Sequence, residues 1–365
     1  MRIVIATDAT RPQVNGVVRT LVETARILVS FGHAVDFVTP ASFRSIPCPT
    51  YPSIRLAVGA GRGVGRMIES FEPDRVHVAT EGPVGHAARR WCRAHRFPFT
   101  TSFHTQFPEY IRTRAPVPLS WSYAYLRRFH GAATCTMVPT PSQRDRLADR
   151  GFSRLGVWPR GVDTELFRPG PKDAIAAERP ISMFVGRVSV EKNLDAFLGL
   201  DLPGTKVVVG DGPDLERLKA RHPGALFLGE KSGRDLARHF AAADVFVFPS
   251  RTDTFGLVML EAMACGVPVA AYPVTGPIDV VEHGRTGILD DDLASAVGRA
   301  LELDPAECVA SARAQSWEHA TRVFESHLSL WRDALAAPAS GAQRTGRDGS
   351  AERDVQADAD PGSGP

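Results

Sequence analysis

Two stretches of the chain repeat one order of elements: an apolar run, a loop that contains glycine, a helical pattern and a second apolar run. In the first stretch the apolar runs are 2–7 and 34–39, with the helical pattern over 17–31. In the second stretch the apolar runs are 181–185 and 206–209. Short runs rich in β-branched residues are typical of buried parallel strands. These repeated strand–helix–strand units predict an α/β chain with two doubly wound parallel sheets.

Further apolar runs extend this pattern, and we predict strands at 75–79, 99–103, 136–139, 225–228, 244–248 and 267–271. Prolines and glycines cluster at 159–171, which is typical of a linker. We therefore predict a first domain over 1–163 and a second domain over 164–316. The apolar periodicity of 317–335 predicts a closing helix. Residues 336–365 are rich in Ala, Gly, Ser, Asp and Pro and are predicted to be disordered.

Composition excludes several classes of protein. With 43% hydrophobic and 23% charged residues, the 365-residue chain has the composition of a globular protein and not of a disordered or coiled-coil one. It has no run of eighteen apolar residues, so we predict no transmembrane helix, and its start lacks the pattern of a removed signal peptide. The five cysteines have no CxxC spacing, which predicts reduced thiols and a cytoplasmic location.

Charge is distributed unevenly along the chain. Residues 1–160 contain 22 arginines, no lysine and 10 acidic residues, a net charge of +12. The remaining residues contain 21 basic and 31 acidic residues, a net charge of −10. This asymmetry indicates a polyanionic partner for the first half, either nucleic acid or an anionic membrane surface. An arginine-rich but simply solvated surface is the alternative.

Glycines and cations follow the predicted strands at the sheet edge where ligands of such folds bind. Gly16 opens the first helix, which allows a phosphate to approach the amides at the helix start. After Gly186, Arg187 and Lys192 lie five residues apart around the start of a helix, a spacing that suits a diphosphate. A plain turn glycine and ordinary surface bases are the alternatives.

Two carboxylates accompany the segment 248–266, where a strand ends and an apolar helix begins near Phe255. Asp253 precedes that helix and is either its N-cap or a ligand-binding residue. Glu261 lies between Leu260 and Ala262 on the apolar helix. A buried carboxylate needs partners, and the hydroxyl groups of a sugar or ribose are suitable ones.

Together these motifs, over residues 1–335, resemble the retaining glycosyltransferases of family four. The resemblance implies the GT-B fold, in which two Rossmann-like domains face a cleft and a C-terminal helix packs back on the first domain. It implies that the Gly16 loop contacts the donor phosphates and that Arg187 and Lys192 clamp the diphosphate. Asp253-x7-Glu261 matches the E-x7-E motif of the family, with aspartate in place of the first glutamate. The first carboxylate then binds the transferred sugar and the second binds the ribose.

The resemblance implies further site residues. His104, in Thr-Ser-Phe-His-Thr-Gln, follows a predicted strand and matches a histidine that contacts the donor sugar near the anomeric carbon. His104 and Asp253 are therefore the predicted catalytic residues, and Glu81 is a predicted acceptor contact. The motif Arg160-Gly-Val-Asp163 with Phe167 matches the hinge-side signature of the family. The remaining predicted donor contacts are Phe255, Gly256, Leu257 and Val258.

No metal and no cofactor are expected, because the family neutralises the diphosphate with cationic side chains and helix N-termini. Asp-x-Asp spacing occurs at Asp290-Asp291-Asp292 and, in the predicted tail, at Asp358-Ala-Asp360, and neither follows one of the predicted strands. The resemblance is nearest to bacterial GDP-mannose-dependent α-mannosyltransferases and glycolipid synthases. We therefore predict a nucleotide-diphosphate sugar as donor, with GDP-mannose the first choice, and a lipid or glycolipid as acceptor.

Three alternatives differ from that prediction. A UDP-sugar-dependent diacylglycerol glycosyltransferase of the glucosyl or sulfoquinovosyl type differs in donor, and a GT-B nucleotide-sugar epimerase differs in reaction. A nucleic-acid-binding protein would leave Arg187, Lys192 and Asp253-x7-Glu261 without a role, so nucleic acid is not a predicted partner.

A lipid acceptor predicts that the chain lies peripherally on the inner face of the cell membrane, with its basic first half on the anionic surface. The predicted contacts of this surface are arginines and neighbouring apolar residues: Arg62, Arg66, Arg89, Arg90, Arg93, Tyr110, Ile111, Arg112, Arg114 and Val117.

Overall fold

The computed structural model describes residues 1–10, 13, 15–48, 51–112 and 117–329, and these belong to one compact unit. Their strands form two six-stranded parallel sheets and a two-stranded antiparallel ribbon, with helices packed around the sheets. The two doubly wound sheets confirm the predicted fold class. The predicted tail, 336–365, lies outside the described residues, as does 330–335 of the predicted closing helix.

The first sheet and the ribbon use the chain up to residue 157. The elements in order are β1 (Arg2–Ala6), α1 (Gly16–Ser30), β2 (Ala34–Val38), β3 (Ser45–Cys48), β4 (Tyr51–Ala57), α2 (Ala60–Phe71), β5 (Arg75–Val78), α3 (Pro83–Ala94), β6 (Phe99–Ser102), α4 (Phe107–Arg112), α5 (Leu119–His130), β7 (Cys135–Val138), α6 (Pro141–Asp149) and β8 (Leu155–Val157). The sheet order is β2-β1-β5-β6-β7-β8, and β3 pairs with β4.

The second sheet begins at residue 181. Its elements are β9 (Ile181–Val185), α7 (Leu194–Leu198), β10 (Thr205–Val209), α8 (Leu215–Arg221), β11 (Leu226–Phe227), α9 (Gly233–Ala242), β12 (Val245–Phe248), α10 (Leu257–Ala264), β13 (Val269–Ala271), α11 (Pro277–Val280), β14 (Gly287–Leu289), α12 (Leu293–Ala300), α13 (Pro305–Arg313) and, after the sheet, α14 (Trp317–Ser329). The sheet order is β11-β10-β9-β12-β13-β14.

Each sheet reverses its strand order beside its first strand. In the first sheet β1 has β2 on one side and β5 on the other, and in the second sheet β9 lies between β10 and β12. At such a reversal the loops that leave neighbouring strands diverge and open a crevice at the carboxyl edge. The loops after β1, β5, β9 and β12 therefore define where a ligand can bind.

The helix α14 packs on the first sheet although it follows the second. Its Phe324 and Leu328 are buried with Ile3 and Ile5 of β1, and the Phe324 ring centroid lies 4.6 Å from that of Trp158. This placement agrees with the predicted closing helix, which begins at Trp317 as expected. Two chain segments thus cross between the sheets, and they are joined where the Val162 amide donates to the Gln315 carbonyl at 3.0 Å.

Candidate functional site

The predicted site residues lie on the loops at the two points of strand reversal. Gly16 is the first residue of α1, which follows β1, and Glu81 follows β5. Half-buried Arg187 follows β9, and Asp253 follows β12. The two sheets face each other closely at these loops, since a Cβ atom on Gly16 would lie 3.5 Å from Cδ1 of Leu257.

Lys192 and Asp253, predicted separately as phosphate and sugar contacts, form an ion pair. The Lys192 Nζ atom donates to both oxygens of the Asp253 carboxylate, at 2.7 and 2.9 Å, and both side chains are largely buried. Asp253 does not cap the helix, because α10 begins at Leu257 with Gly256 at the N-cap position. The N-cap alternative is therefore wrong, and the carboxylate lies in the site.

Glu261 also has a cationic partner, and this partner comes from the other sheet. The Arg19 guanidinium, on α1, donates to the Glu261 carboxylate on α10, and the Glu261 side chain is only 4% exposed. Arg19 also lies over the Phe167 ring at 5.1 Å. Burial raises the pKa of Glu261 to about 7, while Arg19 acts in the opposite direction.

Sequence reasoning did not identify Arg19. A signal was available, because residue 19 is three positions after Gly16 and therefore on the same face of the helix. The sequence alone does not show that this face of α1 contacts α10.

The two helices that meet in the site differ at their first turns. At the start of α1, the Asn15 side chain accepts from the amides of Val17 and Val18, both at 3.0 Å. These two amides, which we expected to be open to phosphate, already have a partner. At the start of α10 the N-cap residue is Gly256, and no side chain of the described residues caps this helix end. Its first amides are thus available to an anionic ligand.

Gly256 itself adopts a positive φ of 86°, and a Cβ atom there would lie 2.7 Å from Cε of Met259. A side chain at this position would be strained and would crowd the helix start. Phe255 is buried in the core of the second sheet, and Leu257 and Val258 are half-buried in the first turn of α10. Of the four predicted donor contacts, Phe255 therefore belongs to the core, and Gly256, Leu257 and Val258 form the start of α10.

His104 follows β6 and is held at three points. Its carbonyl accepts from Thr254 Oγ1 at 2.7 Å, a bond between the two site loops. Its Nδ1 atom lies 3.2 Å from a guanidinium nitrogen of Arg160, and its ring packs edge-on against Trp158. Burial, Arg160, His77 and His130 hold the pKa of His104 well below its usual value. The ring is therefore neutral at physiological pH.

Glu81 pairs with His130, whose Nε2 atom lies 3.1 Å from the Glu81 carboxylate. On its other side, Glu81 borders an apolar cavity of about 450 Å³ between α4 and α5. Trp121 and Tyr125 line this cavity and are 72% and 51% exposed. Large aromatic side chains this exposed are uncommon on a soluble surface and indicate an apolar ligand or partner.

The arginines predicted to contact a membrane differ in their surroundings. Arg62, Arg66, Arg90, Arg93 and Arg112 are exposed. The Arg89 guanidinium instead donates to the carbonyls of Phe129 and Arg128, so it is engaged within the fold. Arg114 and the side chains of Tyr110 and Ile111 lie outside the part of the chain that the structure describes.

Chemically, the site combines two ion pairs, Lys192–Asp253 and Arg19–Glu261, with an uncapped helix start and a neutral histidine. Cations and helix amides bind phosphates, and carboxylates accept from hydroxyl groups. In the described ranges, no group of three or more histidine, cysteine or acidic side chains is arranged to hold a metal ion. None of the helices described is both long and apolar enough to span a bilayer.

Comparison with known proteins shows which families and relatives this chain is similar to. The chain matches the model "Glycosyltransferase Family 4" over residues 14–166 and the model "Glycosyl transferases group 1" over residues 179–303. It is similar to the GDP-mannose-dependent alpha-mannosyltransferases of Mycobacterium tuberculosis (31% identity, 79% of this chain and 83% of the relative) and Mycolicibacterium smegmatis (32%, 80% and 84%). The sulfoquinovosyl transferase SQD2 of Arabidopsis thaliana is 33% identical over 67% of this chain and 52% of its own length.

Two solved structures support the fold. A sucrose-phosphate synthase from Thermosynechococcus elongatus superposes with a TM-score of 0.70 at 21% identity, covering 92% of this chain and 99% of that one. The Anabaena protein HepE, crystallised with UDP and glucose, superposes with a TM-score of 0.64 at 18% identity, again over 92% and 99% of the two chains.

Proposed function

The chain belongs to the glycosyltransferases of family 4 and group 1, and from this premise we propose that it transfers mannose from GDP-mannose to a lipid or glycolipid acceptor with retention of configuration. The donor assignment is supported by the relatives named GDP-mannose-dependent alpha-mannosyltransferase, whose length this chain covers by more than four fifths. The lipid acceptor is supported by the apolar cavity beside Glu81.

One observation carries the proposal of a nucleotide-sugar donor. The ion pairs Lys192–Asp253 and Arg19–Glu261 lie at the points of strand reversal, beside the uncapped start of α10. A nucleotide-diphosphate sugar offers partners for all of these groups. Its phosphates suit Lys192 and the helix amides, and its hydroxyls donate to the two carboxylates.

In the proposed reaction the bond between the anomeric carbon and the diphosphate oxygen breaks, and the acceptor hydroxyl oxygen forms the new bond on the same face. The proton of that hydroxyl passes to the departing diphosphate. Negative charge grows on the departing diphosphate, where Lys192, Arg187 and the start of α10 stabilise it. These groups supply the charge neutralisation for which other transferases use a divalent cation. We therefore propose that the reaction needs neither a metal nor a cofactor.

The acceptor would bind with its hydroxyl near Glu81 and its hydrocarbon part in the cavity lined by Phe107, Val117, Trp121 and Tyr125. Aromatic side chains with one apolar and one polar edge favour the interface of a bilayer. Exposed arginines nearby in the sequence would attract anionic lipid headgroups. On this proposal the chain acts peripherally at the inner face of the cell membrane.

A UDP-sugar-dependent diacylglycerol glycosyltransferase is the second candidate, favoured by the similarity to SQD2. A panel of donors tests both. Thermal unfolding is followed with GDP-mannose, UDP-glucose, UDP-sulfoquinovose, GDP and UDP. A ligand at 100 times its Kd adds about 2.7 kcal/mol to the free energy of unfolding. We expect the guanine nucleotides to raise the Tm and the uracil nucleotides to leave it unchanged; the reverse pattern would favour the second candidate.

Product analysis with extracted lipids and the stabilising donor completes the test. We expect mannose to appear on a lipid only when both substrates are present, with the same rate after exhaustive chelation. Loss of activity that Mg²⁺ or Mn²⁺ restores would contradict the metal-free reaction. Interconversion of the nucleotide sugar without acceptor would identify an epimerase instead.

A further inference from the structure

The contact between Arg160 and His104 determines which nitrogen of the histidine carries the proton. A guanidinium nitrogen of Arg160 lies 3.2 Å from Nδ1 of His104. A guanidinium has hydrogen-bond donors only and stays protonated in proteins. Nδ1 must therefore accept, and a neutral imidazole that accepts at Nδ1 carries its proton on Nε2.

The Nε2 atom that carries this proton has no partner among the described residues, and it is buried. Almost all buried donors in folded proteins are satisfied, so an unsatisfied one in a site indicates a group that arrives with a ligand. Two contacts hold the orientation of the ring: it packs edge-on against Trp158, and Arg160 donates to its Nδ1 atom.

Arg160 is itself fixed, and its charge is not neutralised by a neighbouring carboxylate within the described part of the chain. One guanidinium nitrogen donates to the carbonyls of Trp158 at 2.6 Å and Pro159 at 3.2 Å, and the group lies 4.3 Å from the centroid of the Trp158 ring. The residue is 5% exposed. Burial lowers the pKa of Arg160 to about 9, so the cation persists at neutral pH.

The other titratable groups around His104 are His77 on β5 and His130 on α5. Both nitrogens of His77 are within hydrogen-bond distance of hydroxyls on β6, those of Thr100 and Ser102. The ring nitrogens of His130 lie 3.1 Å from the Glu81 carboxylate and 2.9 Å from Thr101 Oγ1. No carboxylate among the residues that the structure describes hydrogen-bonds to the His104 ring, and the nearby cation opposes a second positive charge.

From this geometry we infer that Arg160 is a positioning residue, which locks His104 in the Nε2–H tautomer so that the histidine donates a hydrogen bond to an oxygen of the bound sugar. His104 then serves as a fixed neutral donor and does not transfer a proton. Only the identity of the oxygen ligand rests on the proposed function; the tautomer does not.

The tautomer is tested on the ligand-free, full-length protein labelled with ¹⁵N-histidine, with the His104 signals assigned from a His104→Gln variant. We expect nitrogen shifts of an Nε2–H imidazole that do not change between about pH 5 and pH 8. In Arg160→Leu we expect a mixture of tautomers and a raised pKa of His104, which burial still holds below its ordinary value. Arg26→Leu, which removes an exposed arginine that pairs with Glu23, is the matched control and should keep the signals of the unaltered protein.

An Nδ1–H imidazole in the unaltered protein, or titration of its His104 near pH 6.5, would overturn the inference, whether or not Arg160→Leu folds. Arg160→Gln offers a second comparison, since its amide keeps a donor but not the charge. In that variant we expect the same tautomer with a raised pKa.

Turnover provides an independent measurement. With the active donor, Arg160→Leu should lose roughly tenfold or more in kcat at pH 7.5, and its pH profile should gain an ionisation that the unaltered protein lacks. Equal loss at every pH would mean that Arg160 only supports the fold. If no donor is turned over by the unaltered protein, the proposed function fails while the ¹⁵N measurement still decides the tautomer.

Discussion

At the scale of single residues, the charged side chains of the candidate site pair with one another. The cation of Lys192 is bound to Asp253, and that of Arg19 to Glu261. Lys192 and Asp253 are predicted to bind different parts of one ligand, the diphosphate and the transferred sugar. The ion pairs hold these four side chains in place, which lowers the entropic cost of binding a ligand.

Replacing Lys192 or Arg187 by alanine should weaken donor binding. Each change removes a charge-assisted hydrogen bond to phosphate, worth roughly 1.5–3 kcal/mol. The Kd of the nucleotide sugar, measured by calorimetry, should therefore rise about 10-fold to 150-fold. Lys219→Ala, which removes a surface lysine that pairs with Glu216, is the control and should leave the Kd unchanged. Affinities within twofold for both site variants would refute the phosphate clamp.

The affinity for the nucleotide should depend on pH through Glu261. Because burial raises the pKa of this carboxyl to about 7, it is largely protonated at pH 6 and ionised at pH 8. Only the ionised form accepts from both ribose hydroxyls, so we expect affinity to rise with pH and then level off above about pH 7.5. Titrations of the free nucleotide at several pH values measure this. Glu261→Gln should bind weakly at every pH, and an unchanged slope in that variant would assign the ionisation elsewhere.

At the scale of elements, the closing helix α14 shows how the last described part of the chain stabilises the first. Phe324 is fully buried between Trp158 and His77, at centroid distances of 4.6 and 4.9 Å. These three rings belong to α14, the segment after β8, and β5. The edge of the first sheet that holds His104 therefore depends on a helix from the far end of the sequence.

Truncating Phe324 to alanine should lower the free energy of unfolding by about 3–5 kcal/mol, because it removes a large buried side chain and leaves a cavity. Urea unfolding, followed by circular dichroism, gives the change in midpoint. Glu318→Ala, on the exposed face of the same helix, should change the free energy of unfolding by less than about 0.5 kcal/mol. Similar values for the two variants would mean that α14 contributes little to stability.

The elements also show how far the sequence can be interpreted. Apolar runs such as 2–7 and 181–185 predicted β1 and β9, since strands buried on both faces need such runs. The three-residue strands β8 and β14 were not predicted, because Leu155–Val157 and Gly287–Leu289 are too short to show a pattern. The ribbon of β3 and β4 contains Pro47 and Pro52, which usually argue against a strand.

The sequence could predict site residues that follow a strand or lie on an apolar helix. It could not predict which of these residues contact each other across the two sheets. Lys192, Asp253 and Glu261 could be named because each lies at a strand end or on an apolar helix. Their ion pairs join residues that are distant in the sequence. Lys192 and Asp253 are separated by 61 positions, and Arg19 and Glu261 by 242 positions. The predicted domain boundary near residue 163 and the roles of the site residues stay predictions.

At the scale of the whole molecule, charge and apolar surface are unevenly placed. The first 160 residues carry +12 and the rest −10, and the exposed aromatic residues Trp121 and Tyr125 belong to the positive half. Over an anionic bilayer, such a molecule would turn its first sheet toward the lipid and leave the second sheet in water.

Co-sedimentation with liposomes tests this orientation. We expect binding to vesicles with anionic lipid that falls steeply as salt rises toward about 0.5 M. Changing the exposed residues Arg62, Arg66 and Arg112 to glutamate should weaken binding strongly. The same change at Arg221, Arg234 and Arg238, exposed in the second half, alters net charge equally and serves as the control. Equal effects of the two sets, or equal binding to neutral vesicles, would contradict an oriented surface.

The two ion pairs of the candidate site bear on its selectivity among anions. If inorganic phosphate drew Lys192 away from Asp253, it would leave that carboxylate without this cation in a largely buried place. On the proposed function, a nucleotide sugar would also displace the cations, but its hydroxyls would then satisfy the released carboxylates. We therefore expect the site to discriminate against small free anions without a steric gate, because only a ligand that carries both phosphates and hydroxyls leaves no group unpartnered.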